Sequence, residues 1–262
     1  MISLFPSRTV ALDLFGFAVH WYGIMYLLSF LLAFFLIPRL QKYRDLHFTT
    51  DDWSRVIGWA VVGVLVGGRL GFVLFYEPAY YLIHPWEVFA VWNGGMASHG
   101  GFIGATLAIL WTLRGKSLDA LLRVADIVAI PVILGLGIGR IGNFINQELY
   151  GTVTSLPWGI VIPGVEGLRH PVQLYETLTC VIIAFLCYWH LRKTTTPGRT
   201  FGLFLTFYSI VRILLEWLRI HEHPPLLIGS IPLFREQLLK IPLLLIGIVM
   251  VCTLKQKTDV SP

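Results

Sequence analysis

The chain has 262 residues, of which 56% are hydrophobic and only 13% are charged, with a formal net charge of +5. A soluble domain has about 25% charged residues, so this chain has too few charges to cover a soluble fold of its size. The composition excludes a soluble enzyme, a disordered chain and a disulfide scaffold, and it predicts an all-α polytopic membrane protein. The basic residues lie mostly in short loops, which indicates membrane topology and not a nucleic-acid partner.

Seven apolar runs are candidates for membrane-spanning helices, each of which needs about 20 mostly apolar residues. The predicted spans are residues 20–37, 56–76, 89–113, 125–139, 173–191, 201–218 and 241–254. The fourth run ends in closely spaced glycines, so we expect its end either to unwind or to pack very closely against its neighbours. No separate soluble domain is visible, so residues 1–262 are interpreted as a single integral membrane domain.

The loops on one side of these seven spans carry twice as many Lys and Arg residues as the loops on the other side. The positive-inside rule assigns the richer side to the cytoplasm. The N-terminus is then predicted to lie outside and the C-terminus in the cytoplasm.

Charged side chains within the sixth run need an explanation, because an Arg at membrane depth costs about 2.5–3.5 kcal/mol on insertion scales. Tyr208, Arg212, Glu216 and Arg219 fall within an arc of about 80° on a helix. Two arginines against one carboxylate leave a surplus of positive charge. The stripe therefore favours a site for an anionic ligand over a ladder that only neutralises itself.

A second polar group follows the fourth run, in the segment GRIGNFINQELYG at residues 139–151. It contains Arg140, Asn143 and Glu148, and guanidinium and amide groups match phosphate oxygens well. His99 lies between small residues in WNGGMASHGGFIG, where a structural histidine and a catalytic one are both open. Tyr22 opens the first span, where an interfacial aromatic belt explains it equally well. No metal-binding or nucleotide-binding motif is present, so no metal or cofactor is expected.

A phosphate held inside an apolar membrane protein indicates a phospholipid ligand. A lipid-modifying enzyme is therefore the leading interpretation. A phospholipid or anion transporter is the second, although inverted repeats with paired broken helices are not visible. A purely structural membrane subunit is the third.

Six blocks of the sequence, in order, resemble the bacterial prolipoprotein diacylglyceryl transferase family. They are HWYGIMYL, GGRLGFVLFY, WNGGMASHGG, GRIGNFINQELYG, RHPVQLYE and the stripe from Tyr208 to Arg219. Members of the family often carry Asp where this chain has Asn93, and the loop at 151–169 is shorter than in some members.

The resemblance implies a reaction and a set of site residues. The diacylglyceryl group of phosphatidylglycerol would pass to the thiol of the lipobox cysteine in a prolipoprotein signal peptide, with release of glycerol phosphate. Arg140 would bind the lipid headgroup, and His99 matches the histidine for which a base role is suggested. The other matched positions are Tyr22, Asn143, Glu148, Gly151, Arg212, Glu216 and Arg219.

The same resemblance implies a multi-pass protein of the bacterial plasma (inner) membrane that needs no cofactor. In the expected mechanism, Arg140 and Arg212 stabilise the departing phosphate. His99 or a carboxylate takes the thiol proton, with Tyr22 as a further catalytic group and Tyr208 in the substrate-binding set.

Overall fold

The computed structural model describes residues 9–15, 17–221, 226–228 and 231–254. Its architecture is helical and polytopic, as predicted. Within the described residues, six helical segments are long and apolar enough to cross a membrane: Trp21–Arg44, Thr50–Phe75, Leu118–Asn146, Val172–Lys193, Arg199–Leu218 and Glu236–Thr253. The two chain ends, on which the predicted orientation of the termini depends, lie outside the described residues.

The first two helices match the first two predicted spans. α1 covers Trp21–Leu40 and continues into a 3-10 turn at Gln41–Arg44. α2 covers Thr50–Phe75 and begins six residues earlier than predicted. Its start is fixed by a capping box, in which the Thr49 side chain accepts a hydrogen bond from the Asp52 backbone N–H and the Asp52 carboxylate accepts from Thr49.

The third predicted span, residues 89–113, is wrong as a single helix. A short helix, α3 (Pro78–Ile83), and two 3-10 turns precede α4, which covers only Ser98–Thr112. The helix cannot start earlier because Gly94 and Gly95 have φ values of 82° and 75°, a left-handed region that suits glycine and interrupts a helix. Arg69 of α2 holds this irregular segment by donating hydrogen bonds to four of its backbone carbonyls.

The fourth predicted span, residues 125–139, is too short. α5 covers Leu118–Asn146 without unwinding at its glycines. Ser117 caps its start by accepting a hydrogen bond from the Ala120 backbone N–H at 3.2 Å. The glycines instead allow close packing, since a Cβ on Gly137 would meet the Cys180 side chain at 3.1 Å.

The remaining helices follow the predicted spans closely. α6 covers Val172–Lys193, and α7 covers Arg199–Leu215 and continues into a 3-10 turn at Glu216–Leu218. A four-residue helix, α8 (Arg235–Leu238), precedes α9 (Lys240–Thr253). Among the described residues, strands are confined to three two-stranded antiparallel hairpins: β1 (Val10–Leu14) with β2 (Phe17–His20), β3 (Ile160–Val161) with β4 (Leu168–Arg169), and β5 (Leu226–Ile228) with β6 (Ile231–Leu233).

α2 and α4 pack antiparallel along a seam of small residues. Gly67 faces Gly100 and Gly104, and a Cβ added to Gly67 would lie 2.8 Å from the Gly104 Cα. At one end of the seam the rings of Trp59 and Trp111 pack edge to face, 5.1 Å apart. Small residues of this kind let helices approach to backbone contact in a membrane.

A buried ion pair between Arg44 and Asp126 connects four helices at the end of the bundle away from Tyr22. These are the end of α1, the first half of α5, the end of α6 and the start of α7. Arg44 Nε and Asp126 Oδ2 are 2.6 Å apart, and both side chains are fully buried. Arg44 also donates to the Leu191 carbonyl and the Thr200 hydroxyl. Asp126 accepts from the backbone N–H groups of residues 198 and 201 at the start of α7. Arg44, counted as a loop charge in the topology prediction, is therefore a structural core residue.

Candidate functional site

Glu176 on α6 lies at the centre of a buried cluster of arginines. Its carboxylate forms close ion pairs with Arg140 of α5 and Arg212 of α7, and one oxygen lies 3.5 Å from Arg219 Nη1. Glu176 is only 4% exposed. One carboxylate of α6 thus joins three guanidinium groups, one from α5 and two from α7 and its C-terminal end.

Glu216 supplies a second carboxylate to the same cluster. Its Oε2 lies 3.1 Å from Arg212 Nη2, and its Oε1 lies 3.8 Å from Arg219 Nε. Three guanidinium groups and two carboxylates leave one positive charge in excess. Arg212, Glu216 and Arg219 of the predicted stripe are therefore joined by ion pairs, and Glu176 is an acidic partner that the prediction did not include. Arg219 lies just beyond the helix, in extended backbone.

Unsatisfied hydrogen-bonding capacity remains in this cluster. Within the described part of the chain, Arg212 Nε is buried and has no hydrogen-bond partner. Buried donors are normally paired. The arginine cluster therefore keeps an N–H donor available for an oxygen atom of a ligand.

Asn143 links the arginine cluster to α1. Arg140 Nη1 donates to Asn143 Oδ1 at 3.0 Å, which requires the helix to continue through residue 143, as it does. The Asn143 amide nitrogen donates to the Tyr22 hydroxyl and, at 2.7 Å, to Glu148 Oε1. Tyr22, Asn143, Glu148 and Arg140 thus form a continuous chain of hydrogen bonds.

Glu148 lies in a strained turn at the end of α5. Its neighbours Gln147 and Leu149 have φ values of 57° and 53°, and a left-handed conformation costs about 1–3 kcal/mol for a residue other than glycine. The turn is held by hydrogen bonds from the Glu148 backbone N–H to the Asn143 carbonyl at 3.1 Å and from Gln173 Nε2 to the Glu148 carbonyl at 2.6 Å. Burial raises the pKa of the Glu148 carboxyl above its usual range.

Gly151 contributes through its backbone. It pairs with Arg219 in an isolated antiparallel bridge, and its N–H donates to the His170 carbonyl at 2.9 Å. A Cβ at this position would lie 2.6 Å from the Leu218 carbonyl oxygen. Glycine is required here because the loop after α5 passes directly against the end of α7.

Tyr208 lines a narrow crevice beside the cluster. The crevice has a volume of about 10 Å³, enough for one water-sized group. Lys240 of α9 lies near the same ring, with its Nζ 6.0 Å from the ring centroid. A larger ligand can enter only if these side chains move apart. The lining residues are Leu136, Arg140, Glu176, Thr179, Cys180, Ile183, Tyr208, Val211 and Arg212.

His99 is not part of this cluster. It is exposed, one residue into α4, on a helix that packs mainly against α2. None of the residues that the structure describes forms a hydrogen bond or an ion pair with its side chain. Of the other predicted site residues, Tyr208 lines the crevice beside Arg140 and Arg212. The rest are linked by hydrogen bonds, ion pairs or the backbone bridge between Gly151 and Arg219.

Gln173 and Glu176 lie in the block RHPVQLYE, and neither belongs to the predicted set of site residues. Both are buried polar residues, at 4% and 1% exposure, and both contact the site directly. The sequence signal that could have identified them is the occurrence of two polar residues, one of them charged, at the start of a predicted membrane span. Lys240 gave no such signal, because it stands at the beginning of an apolar run.

One group of residues has the composition of a metal site. The ligand atoms of Glu216, His221 and Glu236 all lie within 4.8 Å of one another. The Glu216 oxygens, however, face Arg212 and Arg219. A carboxylate that already pairs with two guanidinium groups is a poor ligand for a cation, so we assign no metal to this group.

The fold and the site define a class of protein: a multi-pass membrane protein with a buried, net-positive cluster suited to an anionic ligand. The prolipoprotein diacylglyceryl transferase family matches residues 9–253. The chain belongs to this family.

Curated relatives extend over nearly the whole chain. The sequence is 43% identical over 247 residues to the phosphatidylglycerol–prolipoprotein diacylglyceryl transferase of Geobacter sulfurreducens, which covers 93% of each chain. It is 41% identical over 244 residues to the protein of the same name from Legionella pneumophila strain Paris, covering 91% of this chain and 94% of the relative. The corresponding Nitrosomonas europaea protein is 42% identical over 243 residues, covering 91% and 87%.

Proposed function

We propose that this chain transfers the diacylglyceryl group of phosphatidylglycerol to the thiol of the lipobox cysteine in a prolipoprotein signal peptide. In this reaction a C–S bond forms at the carbon of the diacylglyceryl group that carries the phosphate. The C–O bond to that phosphate breaks, the thiol proton passes to a base, and glycerol phosphate leaves. The observation that carries the proposal is the excess positive charge of the buried cluster around Glu176, in a chain that belongs to the transferase family.

Arg140 and Arg212 are proposed to bind the phosphate. Negative charge accumulates on the departing phosphate ester as the C–O bond breaks, and pre-positioned guanidinium groups stabilise that charge in the transition state. Glu176 holds both guanidinium groups in place through ion pairs, so little reorganisation is needed during the reaction. Tyr208, Glu216 and Arg219 complete the proposed substrate-binding set, together with Asn143 and Gly151.

Two groups are proposed as acceptors of the thiol proton, His99 and Glu148. Glu148 is favoured because it is joined to the arginine cluster through Asn143, whereas His99 is not. Within the described residues its carboxylate forms no ion pair, and its raised pKa makes it a stronger base than an exposed carboxylate. The Tyr22 hydroxyl accepts a hydrogen bond from the same Asn143 amide that donates to Glu148, and so helps to orient Asn143 and Glu148.

The pH profiles of two variants distinguish the proposed acceptors. A carboxylate base acts only when it is deprotonated, so activity should fall as the pH drops through the raised pKa of Glu148. In Glu148→Gln this acid limb should disappear along with most of the activity. His99→Gln should retain the acid limb if Glu148 is the base, and loss of the limb in His99→Gln alone would transfer the role to His99.

We further propose that α4 is a seventh membrane crossing and that the N-terminus lies outside. α2 begins beside Arg44 and α5 begins near the same end, where Arg123 Nη1 donates to the Arg44 carbonyl at 2.8 Å. The chain must therefore return between residues 75 and 118, and α4 runs antiparallel to α2 along that path. A polar probe should label Lys116→Cys from the cytoplasmic side of the bacterial plasma membrane and Glu166→Cys from the opposite side; the reverse pattern would overturn the orientation.

The test of function uses the purified protein with phosphatidylglycerol vesicles and a lipobox peptide. We expect the peptide to gain the mass of a diacylglyceryl group and glycerol phosphate to be released, whereas a peptide with Ser at the lipobox cysteine should remain unchanged. Movement of phosphatidylglycerol across the bilayer without modification of the peptide would instead support a lipid transporter.

A further inference from the structure

The buried amide of Gln173 connects α6, which carries Glu176, to the turn that carries Glu148. We propose that Gln173 is a positioning residue, which holds Glu148 at a fixed place beside the arginine cluster. The inference rests on the proposed function, because it concerns how the proposed base is presented to the bound phosphate.

Gln173 is 1% exposed, and its Nε2 donates to the Glu148 backbone carbonyl at 2.6 Å. Glu148 is also held through its backbone N–H and its carboxylate, but both of those contacts come from Asn143 of α5. Gln173 belongs to α6. The Glu148 turn is therefore fixed relative to α6 as well as to the end of α5, which it follows.

The turn needs such support because it is strained. Gln147 and Leu149 both adopt left-handed conformations, which residues with a Cβ keep only where their surroundings enforce them. Without the Gln173 hydrogen bond, the half-buried Glu148 carbonyl would lose this donor, and the turn would be free to relax. The Glu148 carboxylate would move with it.

The position of Gln173 on α6 explains why it affects the site as a whole. Gln173 and Glu176 are three residues apart and lie on one helical turn. Glu176 holds the arginines, while Gln173 holds the turn that bears Glu148. Thr177 reinforces this arrangement by donating to the carbonyls of Gln173 and Gly137. One turn of α6 thus sets the spacing between the proposed base and the phosphate-binding arginines.

The test variant is Gln173→Met, which keeps the length and burial of the side chain and removes its N–H donor. We expect kcat to fall about 10- to 100-fold, with the KM for phosphatidylglycerol within about 2-fold of wild type, because the arginines keep Glu176. The matched control is Gln41→Met. Gln41 also donates to a loop carbonyl, that of Phe48 at 3.2 Å, but at the opposite end of α1 from Tyr22. The control substitution should therefore leave kcat unchanged.

Two measurements separate positioning from a general loss of stability. In a Glu148→Gln background, Gln173→Met should produce no further loss of activity, because Gln173 acts through Glu148. Deuterium exchange of the segment 144–150 should increase in Gln173→Met while α7 stays protected. A wild-type kcat, a fully additive double variant or unchanged exchange in that segment would each overturn the inference. Absence of transfer by the wild-type protein would overturn the proposed function, whereas the exchange measurement would still test Gln173.

Discussion

Glu176→Gln is the sharpest test of the charge arrangement, because it removes one negative charge and leaves the shape of the side chain almost unchanged. The wild-type carboxylate pairs with Arg140, Arg212 and Arg219 and is 4% exposed. After the substitution, three guanidinium groups remain with Glu216 as their acidic partner, and the excess rises from one positive charge to two. Removing one partner of a buried ion pair costs about 3–5 kcal/mol.

For a chain of this length, such a loss corresponds to a decrease in Tm on the order of 10 °C. We would follow unfolding in detergent by tryptophan fluorescence and transfer activity with the lipobox peptide, and we expect both to fall. Asp119→Asn is the control. Asp119 pairs with Arg123 at 2.7 Å but is 44% exposed, so this loss should stay below about 1 kcal/mol. If Glu176→Gln lowered Tm no more than Asp119→Asn, the central place of Glu176 in the cluster would be refuted.

Three further substitutions, with a fourth as a control, test the packing and the hydrogen-bond chain. Gly67→Ala places a Cβ against the α4 backbone and should destabilise the protein by about 1–3 kcal/mol in thermal unfolding. Gly58→Ala on the same helix meets no atom within 4 Å and should be neutral or slightly stabilising; equal effects would contradict the close seam. Gly151→Ala should abolish transfer by pushing the loop away from the Leu218 carbonyl, and wild-type activity would show that the loop adapts. Tyr22→Phe removes the hydroxyl that contacts Asn143 and should lower kcat about 2- to 10-fold, so an unchanged kcat would make Tyr22 an interfacial residue only.

Features that depend on neighbouring residues were predictable from the sequence. Apolar runs identified six helices because the length and apolar composition of a segment are enough to recognise a helix that can cross the hydrocarbon core. The pairing of Arg212 with Glu216 was predictable because helical periodicity places residues four apart on one face, whereas Arg219 lies beyond the end of the helix. Arg140 and Asn143 belong to one predicted polar group, and their hydrogen bond at 3.0 Å forms because α5 continues through both residues.

Features that depend on pairing between distant segments were not predictable. Glu176 is 36 residues from Arg212 and 43 from Arg219, and no local pattern specifies which arginine a buried carboxylate will meet. Asp126 and Arg44 are 82 residues apart, so Arg44 was mistaken for a loop charge. The break before α4 depended on two left-handed glycines, whose conformation is not determined by the apolar content of the run.

The charge of the cluster suits both ends of the proposed reaction. A phosphodiester such as the phosphatidylglycerol headgroup carries one negative charge, which matches the single excess positive charge left by Glu176 and Glu216. The leaving glycerol phosphate is a monoester, whose second pKa is about 6, so negative charge increases as the C–O bond breaks. The carboxylates thus do more than neutralise the arginines: they reduce the resting charge to the value that fits the substrate, so that the strongest attraction arises only as the second charge develops.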